Sequence, residues 1–113
     1  MKNNQIIALI IISVVIIGIL IYLENRDIAE AREYIIRINN LSFNPDRFEV
    51  NVGDVVTWIN EDMQVHIIKE DTTSLSSDII VNGNTYSLRF NKKGEFYYHC
   101  VIHPEMKGVI VVR

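Results

Sequence analysis

Residues 6–23 are the part of this chain that least resembles a folded globular domain, and they limit what the remainder can be. From Ile6 to Leu23 there is no charge, and Ala8, Ser13, Gly18 and Tyr22 are the only interruptions in a run of Ile, Val and Leu. A run of this length is sufficient for a membrane-spanning helix. It cannot be a buried core helix, because residues 34–113 are too few to wrap it and are patterned as strands. A secretory signal would have an apolar region of about 7–15 residues followed closely by a small-residue cleavage site. The only Ala-x-Ala, Ala29 and Ala31, lies well beyond Leu23 behind a charged stretch. The expectation is therefore an uncleaved transmembrane anchor at residues 6–23. Lys2 precedes it, and Glu24, Arg26, Asp27, Glu30, Arg32 and Glu33 follow, four acids against two bases. The positive-inside rule then places residues 1–5 in the cytoplasm and the rest of the chain on the extracytoplasmic side, cell surface or periplasm.

Residues 24–33 are rich in Ala, Glu and Arg with no apolar face, a stalk. From Tyr34 the period becomes two. Tyr34, Ile36 and Ile38 alternate with Ile35, Arg37 and Asn39; Phe48, Val50 and Val52 alternate with Glu49 and Asn51. Further strands are predicted at Val55–Ile59, at residues 67–71, at Tyr86–Phe90, at Phe96–Cys100 and at Val109–Val112. Asn44-Pro45-Asp46, Gly53-Asp54 and Asn82-Gly83-Asn84 punctuate them. Short alternating segments between regular turn signals indicate an all-β sandwich at residues 34–113.

The net charge is −3 with no basic block, which argues against nucleic acid as a partner. Cys100 is the single cysteine, so no disulfide can form within the chain. Outside the cytoplasm an unpaired thiol would oxidise unless something held it. The stretch Tyr98-His99-Cys100-Val101-Ile102-His103-Pro104-Glu105-Met106-Lys107-Gly108 offers a reason. It sets a thiolate, an imidazole and a thioether at three-residue steps, a donor set suited to copper. Zinc would call for further Cys or His at short spacing. A binuclear copper site needs two cysteines, and a multicopper oxidase needs paired His-x-His motifs; this chain has neither.

A trigonal copper site needs a second imidazole. His66 is the candidate, at a strand end that a sandwich can bring to the loop. The remaining histidine, His99, adjoins Cys100 on the same strand and so points to the opposite face; it reads as a solvated strand residue. Met106 is the candidate weak axial ligand. Its other reading is core filler, the commoner use of Met, and Met63, placed to pack near His66, and Met1 are the alternatives.

These residues resemble a known family. Residues 34–113 are similar to the cupredoxins, and the short Cys–His–Met spacing most resembles the amicyanin group of the plastocyanin/azurin superfamily. Phe43-x-Pro45, Val52-Gly53-Asp54-x-Val56-x-Trp58-x-Asn60 and Phe90-x-x-x-Gly94-x-Phe96-x-Tyr98 also match. The resemblance implies a Greek-key sandwich with one type 1 (blue) copper, used for one-electron transfer. It implies His66, Cys100 and His103 as strong ligands, Met106 as the axial one, and Asn60, Ile67, Val101 and Ile102 around them. It also implies that His103 reaches the surface as the electron port for redox protein partners.

The chain departs from the family's pattern at three places. Asn commonly follows the first His and Ser or Thr follows the Cys, bonding the two ligand loops together; here these positions are Ile67 and Val101. An apolar contact is expected in place of that bond, with the Ile67 amide available to the Cys100 sulfur. Pro commonly precedes the second His; here Ile102 has an N–H available to the sulfur as a second hydrogen bond. Glu105 places a charge beside the port. The reading is a membrane-anchored single-electron carrier that is not an enzyme and has no small-molecule substrate. The alternatives are a copper-binding or copper-delivery protein without fast electron transfer, and a metal-free β-sandwich interaction module.

Overall fold

The computed structural model describes residues 2–25 and 30–113. Two compact units divide at Glu30 and Ala31. The middle of the expected stalk, residues 26–29, lies outside the described residues, as does Ala29 of the Ala-x-Ala.

The first unit holds a single helix, α1 (Asn3–Asn25, 23 residues), none of whose side chains is buried. At about 1.5 Å per residue it is roughly 35 Å long, enough for a bilayer's hydrocarbon core. Ser13, the one hydroxyl-bearing aliphatic position in the run, donates its Oγ–H to the Leu9 carbonyl, which leaves no free donor on the helix wall at that point. By length and composition α1 is a candidate membrane span.

The second unit is a β-sandwich of two four-stranded sheets. In chain order the strands are β1 (Glu33–Asn39), β2 (Ser42–Asn44), β3 (Arg47–Val50), β4 (Val55–Asn60), β5 (Ile68–Glu70), β6 (Thr85–Arg89), β7 (Gly94–Cys100) and β8 (Lys107–Val112). One sheet runs β2-β1-β4-β6 and the other β3-β8-β7-β5. Both are mixed. β1 lies parallel to β4 and β3 parallel to β8, while the remaining pairs are antiparallel.

The period-two pattern sets which side chains enter the core. Ile36 and Ile38 of β1 are fully buried, as are Val56 and Trp58 of β4. Tyr98 and Cys100 come in from β7 and Ile110 and Val112 from β8. Trp58 forms the centre of an aromatic group, edge-on to Tyr98 at 5.3 Å between ring centroids and stacked on Tyr86 at 5.7 Å. β8 is buried along almost its whole length, because it lies inside its sheet between β3 and β7.

One expectation needs correction. The alternation through Val52 suggested a longer strand, but β3 ends at Val50 and Val52 is exposed in the following turn. There Asp54 accepts the Asn51 and Arg32 amides, and those N–H groups bend the chain before β4. The short apolar run Ile79-Ile80-Val81 before the Asn82-Gly83-Asn84 turn, for which no strand was expected, forms none. Only Ile80 pairs, in an isolated bridge with His66, and it alone of the three is buried.

Candidate metal centre

Three chain segments meet at one end of the sandwich. β4 leads into the loop that carries His66, β7 ends at Cys100, and the return to β8 carries His103 and Met106. The His66 loop is held by a side chain within the strand preceding it. Asn60 is fully buried; its Nδ2 donates to the Gln64 and Ile80 carbonyls at 2.8 Å each, and its Oδ1 accepts the Asp62 amide at 2.8 Å. His66 and Ile80 then exchange backbone hydrogen bonds in both directions. The imidazole of His66 is thereby fixed on a fully buried residue.

The second segment is pinned at both ends. The Cys100 amide donates to the Met106 carbonyl at 3.0 Å, closing the loop where β7 and β8 separate, and the Met106 amide donates to the His103 carbonyl at 2.9 Å. Across to the His66 segment, the Val101 amide donates to the Ile67 carbonyl at 2.9 Å. Backbone therefore joins the two ligand loops where an apolar contact between Ile67 and Val101 was expected.

The donor atoms converge. One atom each of His66, Cys100 and His103 lie within 4.8 Å of one another. Cys100 Sγ is 3.5 Å from Nδ1 of His66 and 3.7 Å from Nδ1 of His103. Bonds of about 2.0 Å to nitrogen and 2.3 Å to sulfur, opened to between tetrahedral and trigonal angles, give sulfur–nitrogen spacings of roughly 3.5–3.7 Å. The donor spacing thus fits one bound ion. The donor set, with a thioether from the same loop, fits copper.

Exposure differs among the four. His66, Cys100 and Met106 are buried, whereas His103 is half-buried and follows the exposed Val101 and Ile102. The described side-chain contacts of Cys100 Sγ are with Nδ1 of the two imidazoles.

His99 stands apart from the cluster. It pairs across the strands with Lys69 and Lys107, and its Nδ1 meets Asp71 Oδ1 at 2.6 Å. Met63 is 86% exposed, so it does not pack near His66 as expected. Glu105 is exposed on the loop surface.

Sequence reasoning passed over Asp62, taking it as part of the lead into a loop. It is buried, and its Oδ2 is 3.0 Å from Nε2 of His66. The available signal was its position four residues before the histidine, too short a motif to read before the loop was folded.

The comparisons with known proteins agree with this geometry. The model of the cupredoxin-like domain matches residues 9–112. Amicyanin of Paracoccus denitrificans is 31% identical over 83 residues, covering 69% of this chain. The chain spans 63% of that relative's length, less than two-thirds of it. Plastocyanin of Scenedesmus fuscus is 31% identical over 86 residues, covering 65% of this chain and 88% of the plastocyanin. Among solved structures, a reduced amicyanin variant superimposes with a TM-score of 0.68 at 28% identity, covering 78% of this chain and 88% of the amicyanin. With the sandwich, the convergent donors and a match over nearly the whole sequence, the chain belongs to the cupredoxin-like domain family.

Proposed function

We propose that this chain is a membrane-anchored type 1 copper protein that carries single electrons between protein partners on the extracytoplasmic side. The observation that carries the proposal is the placement of Cys100 Sγ between Nδ1 of His66 and Nδ1 of His103, at 3.5 and 3.7 Å. In this reading His66, Cys100 and His103 are the strong ligands and Met106 the weak axial one. The bound metal supplies a one-electron Cu(I)/Cu(II) couple.

The chain's own residues limit rearrangement. Asn60 holds the His66 loop, the Val101–Ile67 bond ties it to the second loop, and the Cys100–Met106 bond closes that loop. Burial of three ligands keeps water away, and half-burial of His103 leaves one ligand edge for electron exchange. Val101 and Ile102 give this edge an apolar border against which a protein partner can dock, with the Glu105 charge nearby.

The anchor and its sidedness rest on α1 and on the distribution of charge around it. Domain limits of 1–5, 6–23, 24–33 and 34–113 follow the same reasoning. Tethering would raise the effective concentration near membrane redox complexes, and docking of this kind is usually small in area.

The test is a visible spectrum of the copper-loaded, oxidised protein, followed by electron self-exchange kinetics. An intense thiolate-to-copper band with fast exchange is expected. An intense band with slow exchange favours copper storage or delivery, and no band after loading favours a metal-free interaction module.

A further inference from the structure

Asp62 joins the His66 imidazole to the turn between β1 and β2. Its side chain lies in the interior, the residue being only 8% exposed. Oδ1 accepts the Asn40 amide at 2.8 Å, and Oδ2 accepts the Leu41 amide at 3.0 Å. The same Oδ2 is 3.0 Å from Nε2 of His66. From behind, the Asp62 amide is bound by Asn60 Oδ1 and its carbonyl accepts Nδ2 of Asn82, both at 2.8 Å. The carboxylate is thus fixed from both backbone sides and has no freedom to turn away.

An ionised carboxylate only accepts hydrogen bonds, and a neutral imidazole has one N–H and one bare nitrogen. Nε2 facing Oδ2 must therefore carry the proton. That leaves Nδ1 bare, and Nδ1 is the atom facing Cys100 Sγ. We infer that Asp62 is a positioning residue for the metal centre: it selects the His66 tautomer that presents Nδ1 and, through its charge, increases the donor strength of that nitrogen. A carboxylate behind a ligating histidine orients the ring and raises its basicity in this way. A more basic ligand favours the higher oxidation state, so Asp62 lowers the reduction potential. This rests on the copper reading of the site; the tautomer does not.

The turn supplies a second part of the device. Asn40 and Leu41 both have left-handed backbone, with φ of 52° and 56°. Asn occupies that region readily, but Leu rarely does. Both amides point at Asp62, so the carboxylate stabilises the unfavourable Leu41 conformation while it holds the imidazole. A structural role for Asp62 in the turn alone would leave the ligand unaffected, and the experiment separates the two.

The experiment uses the full chain in detergent. Nitrogen-15 shifts of His66 in the metal-free protein are expected to show Nε2 protonated and Nδ1 bare. Asp62→Asn, which keeps the shape and removes the charge, is expected to weaken copper affinity by about 10–100-fold and to raise the potential. Leu41→Gly supplies the Asn-Gly pair that such turns prefer and is expected to leave the potential unchanged. Combining it with Asp62→Asn keeps the turn intact and should reproduce the Asp62→Asn shift. A proton on Nδ1 in the starting protein would overturn the proposal. So would a folded Asp62→Asn, alone or with Leu41→Gly, whose affinity and potential match the starting protein. Loss of the blue band from the starting protein would instead overturn the copper reading, leaving the tautomer result to stand.

Discussion

The Tyr98 ring lies against Gly108, the residue opposite it in the β7–β8 ladder, so closely that a Cβ on Gly108 would overlap Cζ and Oη of the tyrosine. The glycine here serves close approach. It permits a large aromatic to lie flat over the strand that leaves the ligand loop, and the loop closes immediately beyond it. Its neighbour Trp58 meets the same ring edge-on.

Gly108→Ala is therefore expected to destabilise the sandwich by about 1–3 kcal/mol, the usual range for forced overpacking. Thermal unfolding of the metal-free protein measures it. Tyr98 Oη is buried with no hydrogen-bond partner among the described residues, so Tyr98→Phe alone should be neutral or slightly stabilising. In the double variant the loss should be smaller than for Gly108→Ala, because one of the overlapping atoms has gone. Equal losses with and without the hydroxyl would show that the overlap is relieved by another shift.

Asn60 bonds the Gln64 carbonyl and the Asp62 amide of the His66 loop, and the carbonyl of Ile80 that bridges to it, from a fully buried position. Asn60→Ala leaves those groups unmatched, at about 1–3 kcal/mol for each buried group not reached by water. Chemical denaturation should show a loss of at least 2 kcal/mol on that scale, accompanied by weaker copper binding because His66 is no longer fixed. A stability loss with unchanged affinity would confine Asn60 to the fold.

Met106 is buried at the base of the loop. Replacement by Leu conserves volume and should cost under about 1.5 kcal/mol. If the thioether is an axial donor, its loss raises the reduction potential, since the extra donor favours Cu(II) and the axial ligand tunes such sites. Voltammetry of Met106→Leu checks this. A potential equal to that of the starting protein would return Met106 to the role of core filler.

Asp54 contributes a pH dependence remote from the ligands. The Asn51 amide, and then the Arg32 amide, bond its carboxylate and hold its pKa below the ordinary 3.8. A depressed folded-state pKa gives stability that is complete above the unfolded value and is lost as pH falls through the folded one. Melting temperature should therefore drop as pH falls below about 4, and Asp54→Asn should flatten that part of the profile. Glu70 acts in the same direction: burial pushes its pKa up, but bonds from Thr73 and Thr72 outweigh burial and lower it. Some acid sensitivity will remain in Asp54→Asn for that reason.

Local patterning made the strands and the candidate donor residues legible. Period-two alternation located Ile36, Ile38, Tyr98 and Cys100 on inward faces, because a strand sends alternate side chains to opposite sides. The same rule separated His99 from Cys100, and the structure leaves His99 beside Asp71. The uncharged run Ile6–Leu23 lies within a single helix. Each of these readings depends on residues a few positions apart.

What the sequence could not supply were relationships across the fold. The parallel pairing of β1 with β4 and of β3 with β8 is set by how the two sheets close over the core. The link between the two loops goes through the Ile67 carbonyl, which accepts the Val101 amide, because two backbones distant in sequence are brought side by side there. Asp62 became visible only when the turn at Asn40–Leu41, remote in sequence, was brought onto the same carboxylate as His66. The sequence determined which donor atoms the chain possesses. Only the tertiary structure decided which nitrogen of His66 faces the sulfur, because that choice is made by the hydrogen bond on the other side of the ring.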